Sequence, residues 1–326
     1  MKRLTFTAYD GKTISYVEWS VDSPKAIVLI AHGMCEHILR YSYIAEKLNE
    51  QGYLVIGDDH RGHGETDKET FGYSDGNMYK DTLKDMAKLC KIYSEKYPKL
   101  NIILFSHSYG SFLAQRFIEK YHFYISGVIL GGSASMSGVL PYAGGVVAWL
   151  GCTFKGKDKP AKLLNSMTFE SYKKQLKKDS FISTIESEAK RYDDDPYCGF
   201  ICSYNFYRAF FKGLREIYKK KNLQNLNKDL PMLIISGKDD PVGGFGKLTE
   251  KLYKTYKEAG VKDVTLKLYD GVLHEFLNDV SREEATSDII SFCDKVVEAY
   301  SFAKHPYEFT LKKASIVDIE PYFFQD

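Results

Sequence analysis

Charge of one sign is the first thing this sequence lacks: 45 Lys and Arg stand against 43 Asp and Glu, a formal net charge of +2 over 326 residues. A nucleic-acid partner normally needs a concentrated basic face, so none is expected. Cysteine is sparse as well. The six, Cys35, Cys90, Cys152, Cys198, Cys202 and Cys293, have neither the density nor the spacing of a disulfide framework. Reduced thiols in a cytoplasmic protein are the expectation. The start, MKRLTFTAYDGKTISY, alternates apolar and polar residues and holds no continuous apolar stretch of the kind an export signal needs. Long apolar runs are missing too. The longest segment free of Lys, Arg, Asp and Glu runs from Tyr121 to Phe154, and its second part, GVLPYAGGVVAWLGCTF, carries a Pro and several glycines. That part sits at the short limit of roughly 17 residues for a membrane span, so none is expected there. No internal repeat or low-complexity segment is present.

What is present suits a large core: 44% of the residues are hydrophobic and 14% aromatic. At roughly 150 residues per domain, the length allows one large domain or two small ones. RLTFTAYDGKTISYVEW alternates on both sides of Asp10-Gly11, which predicts a β-hairpin closed by that two-residue turn. Six later stretches, AIVLIAHG, YLVIGDD, NIILFSHS, ISGVILGG, PMLIISG and VTLKLYDG, are short and rich in β-branched residues. Most are apolar on both faces, as in a parallel sheet covered by helices. Amphipathic segments such as YIAEKLNEQG and DTLKDMAKLCKIYSEKY lie between them, and the alternation predicts a doubly wound α/β fold. Residues 136–228 interrupt it with no clear strand. We read them as a helical cap inserted into a core made of 1–135 and 229–303, with a last helix near Arg282 to Ala303 and an unassigned tail at 304–326.

The stretch LFSHSYGSF holds three serines behind a strand. Where a strand turns sharply into a helix, the residues two before and two after a nucleophile must be small, because the two elements nearly touch. Ser106 would have Leu104 at minus two, and Ser111 would have Tyr109 and Leu113. Only Ser108 has small neighbours, Ser106 and Gly110. A serine hydroxyl needs a base, and the base needs an orienting group, in the order Ser, acid, His on such a fold. His274, in the loop after the last strand, is a better base than His305 in the tail. KDDP offers Asp239 and Asp240 as the acid. An oxyanion would take the backbone N–H of Tyr109 and a second one from HGMCEH, at Met34. The rival reading of His32, Cys35 and His37 as metal ligands lacks a matching partner cluster, and His60 and His63 are discounted alike; Cys198 and Cys202 read as helix-core thiols. No metal is expected.

Together HGMCEH, DDHRGHG, SHSYG, DDP and LHE resemble the monoacylglycerol lipase and lysophospholipase branch of the α/β-hydrolase fold, grouped with the serine aminopeptidase-like hydrolases, over about Ala26 to Cys293. The resemblance implies a mostly parallel eight-stranded sheet with helices on both faces and a helical cap. It makes Ser108 the nucleophile, Asp240, directly before Pro241, the triad acid, His274 the base, and Met34 and Tyr109 the oxyanion donors. RYDDDPYCGF resembles the family's cap, with its acidic-Pro turn. Ser106 departs from the family's usual Gly, and the tail is longer than expected. The activity implied is hydrolysis of an acyl ester or lipid without a cofactor. Two alternatives stand beside it: a proline-type aminopeptidase, which would need a cap carboxylate such as Glu186, Glu188 or Asp193 to Asp195 for the substrate amine, and a non-catalytic ligand receptor. The uncharged run predicts that Val139 to Phe154, with Trp149, Leu150 and Phe154, forms an apolar lid wall over Ser108 for an acyl chain, able to touch a membrane surface transiently.

Overall fold

The computed structural model describes residues 1–302. His305 and the tail at 304–326 lie outside the described residues. Strands β1 (Lys2–Thr7) and β2 (Thr13–Trp19) pair antiparallel, as their alternation predicts. The turn between them corrects the expectation. Gly11, at φ +85°, has left-handed backbone but Asp10 does not. The Gly11 N–H donates to the Ala8 carbonyl at 3.1 Å and the Ala8 N–H to the Lys12 carbonyl at 2.7 Å. Tyr9 and Asp10 are therefore the centre of the turn, and Gly11 is the single residue after it that must be left-handed.

The remaining strands are β3 (Ala26–Ala31), β4 (Tyr53–Asp58), β5 (Ile102–His107), β6 (Gly127–Gly131), β7 (Met232–Gly237) and β8 (Val264–Tyr269). They form one eight-stranded sheet in the order β1-β2-β4-β3-β5-β6-β7-β8. All pairs from β4 to β8 are parallel, and β2 meets β4 antiparallel. Every residue of β3, β4, β5, β6 and β7 is buried. Alternation along each strand divides these residues between two cores. Ile27, Leu29, Ile102 and Leu104 belong to one, while Val28, Ile30, Ile103 and Phe105 belong to the other. Helices α1 (Ser42–Glu50), α2 (Met78–Lys96) and α3 (Tyr109–Lys120) follow β3, β4 and β5 in the chain.

Between β6 and β7 the described chain forms no strand of the sheet but six α-helices: α4 (Leu140–Phe154), α5 (Lys162–Asn165), α6 (Ser171–Leu176), α7 (Glu186–Asp194), α8 (Tyr204–Ile217) and a short α9 (Lys220–Gln224) that closes the interval. Helices α10 (Lys247–Glu258) and α11 (Arg282–Phe302) complete the alternation. Ile44 and Leu48 of α1 and Ile289 and Val296 of α11 cover one face, and α2, α3, α8 and α10 cover the other. No helix among the described residues is long and apolar enough to cross a membrane.

Helix α4 packs on α8 through small residues: a side chain at Gly144 would meet the Phe211 ring, and one at Gly151 would run into the Tyr204 ring. Gly151→Leu should therefore push α4 off α8 and lower stability by about 1–3 kcal/mol. Urea unfolding beside the unmodified chain measures it, and an unchanged midpoint would mean that this contact carries no weight.

Candidate active site

Strand β5 passes into α3 through one residue. Ser108 takes φ 51° and ψ −119°, a conformation that costs a non-glycine residue about 1–3 kcal/mol. Neighbours hold it there. Its N–H donates to the Gly131 carbonyl at 3.0 Å, and its carbonyl accepts the Ser111 hydroxyl at 2.6 Å. Gly110 must lack a side chain, since a Cβ there would strike the Ala31 carbonyl oxygen on β3. Ser106 is accommodated because its hydroxyl, fully buried, donates to the Ile129 carbonyl at 2.6 Å.

The Ser108 hydroxyl lies 2.8 Å from Nε2 of His274, and Nδ1 of His274 lies 2.8 Å from Oδ2 of Asp240. A carboxylate only accepts, so Nδ1 carries the hydrogen and the Nε2 lone pair faces Ser108. Asp240 is fully buried and its other oxygen accepts the Val242 N–H at 2.8 Å, whereas Asp239 is exposed. The backbone of His274 is fixed as well: its N–H donates to the Phe181 carbonyl at 3.2 Å, and its own carbonyl accepts Nε2–H of His107 at 3.1 Å.

The loop 32–37 lies against Ser108, for a Cβ on Gly33 would stand 3.2 Å from the Ser108 Cβ. Met34 follows Gly33 in that loop. Tyr109 opens α3, where a first-turn N–H has no carbonyl of its own helix to meet. Glu36 shapes the loop from within. Its Oε1 accepts the Gly33 N–H at 2.5 Å and the Tyr41 hydroxyl at 2.7 Å, and its Oε2 accepts Arg40 at 2.8 Å. Arg40 also grips both oxygens of Glu275, at 2.5 and 2.7 Å. Burial alone would raise the Glu36 carboxyl, but His107 and Arg40 together hold it well below the usual carboxylate range. His107 is held above the usual imidazole value because Glu36, 3.7 Å away as an ionic contact, and Glu275 outweigh its burial.

His32, His60 and His63 brace the same loop. His32 Nδ1 meets the Gly33 carbonyl at 2.7 Å, its Nε2 accepts the His60 N–H at 3.0 Å, and His63 Nε2 accepts the Cys35 N–H at 3.1 Å. Burial lowers His63 to about 3, so it stays neutral and able to accept.

The profile of the family described as Serine aminopeptidase, S33 matches residues 22–281. The chain belongs to that family. A monoacylglycerol lipase of Mycolicibacterium smegmatis is 26% identical over 88% of this chain and 95% of its own. The monoglyceride lipase of Rattus norvegicus is 25% identical over 83% and 84%. Among solved structures, a thermostable carboxyl esterase from Bacillus coagulans superposes with a TM-score of 0.82 at 26% identity, covering 91% of this chain and 98% of its own. The S33-family chain is thus a serine hydrolase with the α/β-hydrolase fold.

In this S33-family member the large side chains of α4 do not form the inner wall that the uncharged run predicts. Trp149, Leu150 and Phe154 are 52%, 41% and 79% exposed, and Gly144, Gly145, Ala148 and Gly151 make the buried stripe. The reason is steric: α8 presents the aromatic rings of Tyr204 and Phe211 at this contact, so α4 approaches only with its small residues inward. The apolar surface beside the site comes from elsewhere. Phe181, Ile182, Tyr192 and Val242 form a buried cluster joined by Met136 and Tyr172. The Phe181 ring centre is 5.7 Å from that of His274, and Tyr172, raised to about 12 by burial and then by the Asp240 charge, lies near the acid.

The acids that an aminopeptidase would need are otherwise engaged or outside. Glu188 binds Arg282 at 2.8 Å and Arg191 at 3.0 Å, Asp194 binds Lys190 at 2.9 Å, Asp195 binds His37 at 2.9 Å, and Glu186 and Asp193 are exposed. Cys198 and Cys202 are not helix-core thiols. Both precede α8, Cys198 in a turn and Cys202 with its Sγ 3.5 Å from that of Cys35.

Ser106→Ala removes one buried hydrogen bond and leaves the Ile129 carbonyl without that donor. It should lower stability by about 0.5–1.5 kcal/mol while labelling of the protein by a fluorophosphonate continues. Loss of labelling in a folded Ser106→Ala protein would show that the hydroxyl before the turn is more than a packing group.

Proposed function

We propose that this serine hydrolase cleaves carboxylic esters of the monoacylglycerol type through Ser108, His274 and Asp240. One observation carries the reading: a strained serine hydrogen-bonded to an imidazole whose far nitrogen meets a fully buried carboxyl, at 2.8 and 2.8 Å. His274 Nε2 takes the Ser108 proton as Oγ adds to the ester carbonyl. The Tyr109 and Met34 N–H groups receive the oxyanion, and the α3 dipole adds to the same field. His274 then passes its proton to the leaving alcohol, and water, deprotonated by the same nitrogen, releases the acid from the acyl-serine. Asp240 fixes the tautomer and balances the imidazolium charge.

The substrate class rests on the names of the relatives and on the apolar cluster that reaches His274. We assign the acyl chain to that cluster, formed by Phe181, Met136 and Tyr172 of a cap made of residues 136–228 and by Val242 of the core. The outward apolar face of α4 would then meet a lipid surface. An ester is favoured over an N-terminal peptide because the acids of the insertion are paired or exposed.

Ser108→Ala should fold and lose ester hydrolysis, retaining only what the oxyanion donors give, a residual effect on the order of 10³-fold to 10⁴-fold over water. Asp240→Asn should cost on the order of 10³-fold to 10⁴-fold in turnover, and exposed Asp239→Asn far less. Assays with acetyl and octanoyl glycerol esters and a prolyl amide, run on one preparation, test the reading. Equal losses from both aspartates, or a prolyl amide as the best substrate, would sink it. Phe181→Ala should weaken a preference for the longer ester while acetyl ester hydrolysis continues, since each buried methylene is worth about 0.8 kcal/mol.

A further inference from the structure

His37 ends the loop that carries Met34, and the turn between α7 and α8 stands against it. There His37, Asp195 and Cys198 each offer one donor atom, and the three atoms lie within 4.8 Å of one another. Among the described residues this is the one place where three such donors converge. All three are half-buried, with the His37 and Asp195 side chains 12% and 26% exposed. None belongs to the Ser108–His274–Asp240 group.

The local backbone aims them. Asp195, Pro196, Tyr197 and Cys198 form a turn in which the Cys198 N–H donates to the Asp195 carbonyl at 2.9 Å. Such a turn sets side chains three apart on one side, the same interval as the paired ligands of zinc knuckles. Oδ1 of Asp195 accepts the Tyr197 N–H at 2.8 Å, which leaves Oδ2 facing Nε2 of His37 at 2.9 Å. Three donors around a tetrahedral cation stand about 3.3–3.6 Å apart, so small side-chain rotations suffice. A cavity lined by His37, Asp195, Arg40, Glu188, Arg191 and Asn278 adjoins them and gives a fourth position access to solvent.

We propose that His37, Asp195 and Cys198 bind one zinc-class divalent cation, with solvent in the fourth position, and so clamp the 195–198 turn to the loop after β3. One nitrogen, one oxygen and one sulfur select a borderline cation over magnesium or calcium, which take oxygen. Binding forms three protein bonds to the ion. It expels the thiol proton of Cys198 to solvent, and the ring hydrogen through which His37 meets Asp195 passes by way of solvent from Nε2 to Nδ1, which frees the Nε2 lone pair for the ion. Burial raises the Cys198 thiol, and the nearby Arg40 guanidinium offsets only part of this against Glu36, Asp195 and Glu275, so the ion itself has to displace the proton. Arg40 is itself balanced by Glu36 and Glu275, while Glu188 divides its charge between Arg191 and Arg282. The site needs no part in ester cleavage.

Full-length protein stripped of metal by a chelator is titrated with Co²⁺ and then Zn²⁺. The unmodified chain and Cys152→Ser should both give a thiolate-to-cobalt absorption band that one equivalent of Zn²⁺ displaces. Cys198→Ser should lose the band, and Asp195→Asn and His37→Gln should weaken Zn²⁺ binding about tenfold or more. Absence of the band in the unmodified chain, or its survival in Cys198→Ser, overturns the proposal. A second measurement needs no variant: one equivalent of Zn²⁺ should protect Cys198 of the unmodified chain from iodoacetamide, read by peptide mass spectrometry. Unchanged alkylation there overturns it equally.

Discussion

The passage from β5 to α3 in a single residue is the constraint on which the site depends. It holds Ser108 at φ 51° only because Gly110 lets α3 lie against the Ala31 carbonyl of β3. Three later features follow from that contact. The Ser108 hydroxyl stands clear of its own strand, where His274 can reach it. The first N–H groups of α3 open toward the same point. The loop after β3 is brought beside the serine, so that Gly33 nearly touches it. The strain of about 1–3 kcal/mol is offset by the packing of two fully buried strands and a buried helix, each large side chain of which contributes about 1.5–3 kcal/mol.

A second layer keeps this arrangement polar without leaving it unpaired. Glu36, Arg40, Glu275, Tyr41 and His107 are almost wholly enclosed, and each is matched by another member or by backbone. Burying such charges stabilises little by itself, yet removing one partner strands the other at a cost of about 3–5 kcal/mol. The group therefore acts as a register. Glu36 fixes the Gly33 N–H, and His107 fixes the His274 carbonyl, so the loop and the imidazole are referred to one frame.

The sheet was legible in the sequence because strands buried on both faces leave apolar runs that surface segments do not imitate, as in AIVLIA and IILF. Ser108 was legible for a steric reason, the small residues on either side of it. Asp240 was separable from Asp239 only by resemblance, since spacing treats neighbours alike and burial distinguishes them. Glu36, Arg40 and Glu275 were passed over because charged residues in loops read as solvated, and nothing local announces that they face one another over 235 positions of chain. The orientation of α4 was misjudged for the opposite reason. An uncharged helix has no polar face to mark its outside, so its small residues, set by the rings of α8, decide which side goes in. Phe181 and Tyr172 sit in short helices and turns whose apolar residues follow no period.

One carbonyl of the loop after β3 takes two hydrogen bonds from the insertion. The Cys35 carbonyl accepts both the Gly199 N–H and the Tyr192 hydroxyl, each at 3.0 Å. Cys35 is itself left-handed at φ 57°, a conformation in which its carbonyl can point away from the sheet while its N–H is held by His63. On the far side of His274, the Phe181 and Ile182 carbonyls accept the N–H groups of His274 and Glu275. Residues 136–228 are thus pinned to both halves of the site by backbone hydrogen bonds, whereas α4 touches the rest mainly through α8. Motion at 181–182 or 192–199 would draw the imidazole or the loop after β3 with it, whereas α4 is tied to neither by these bonds.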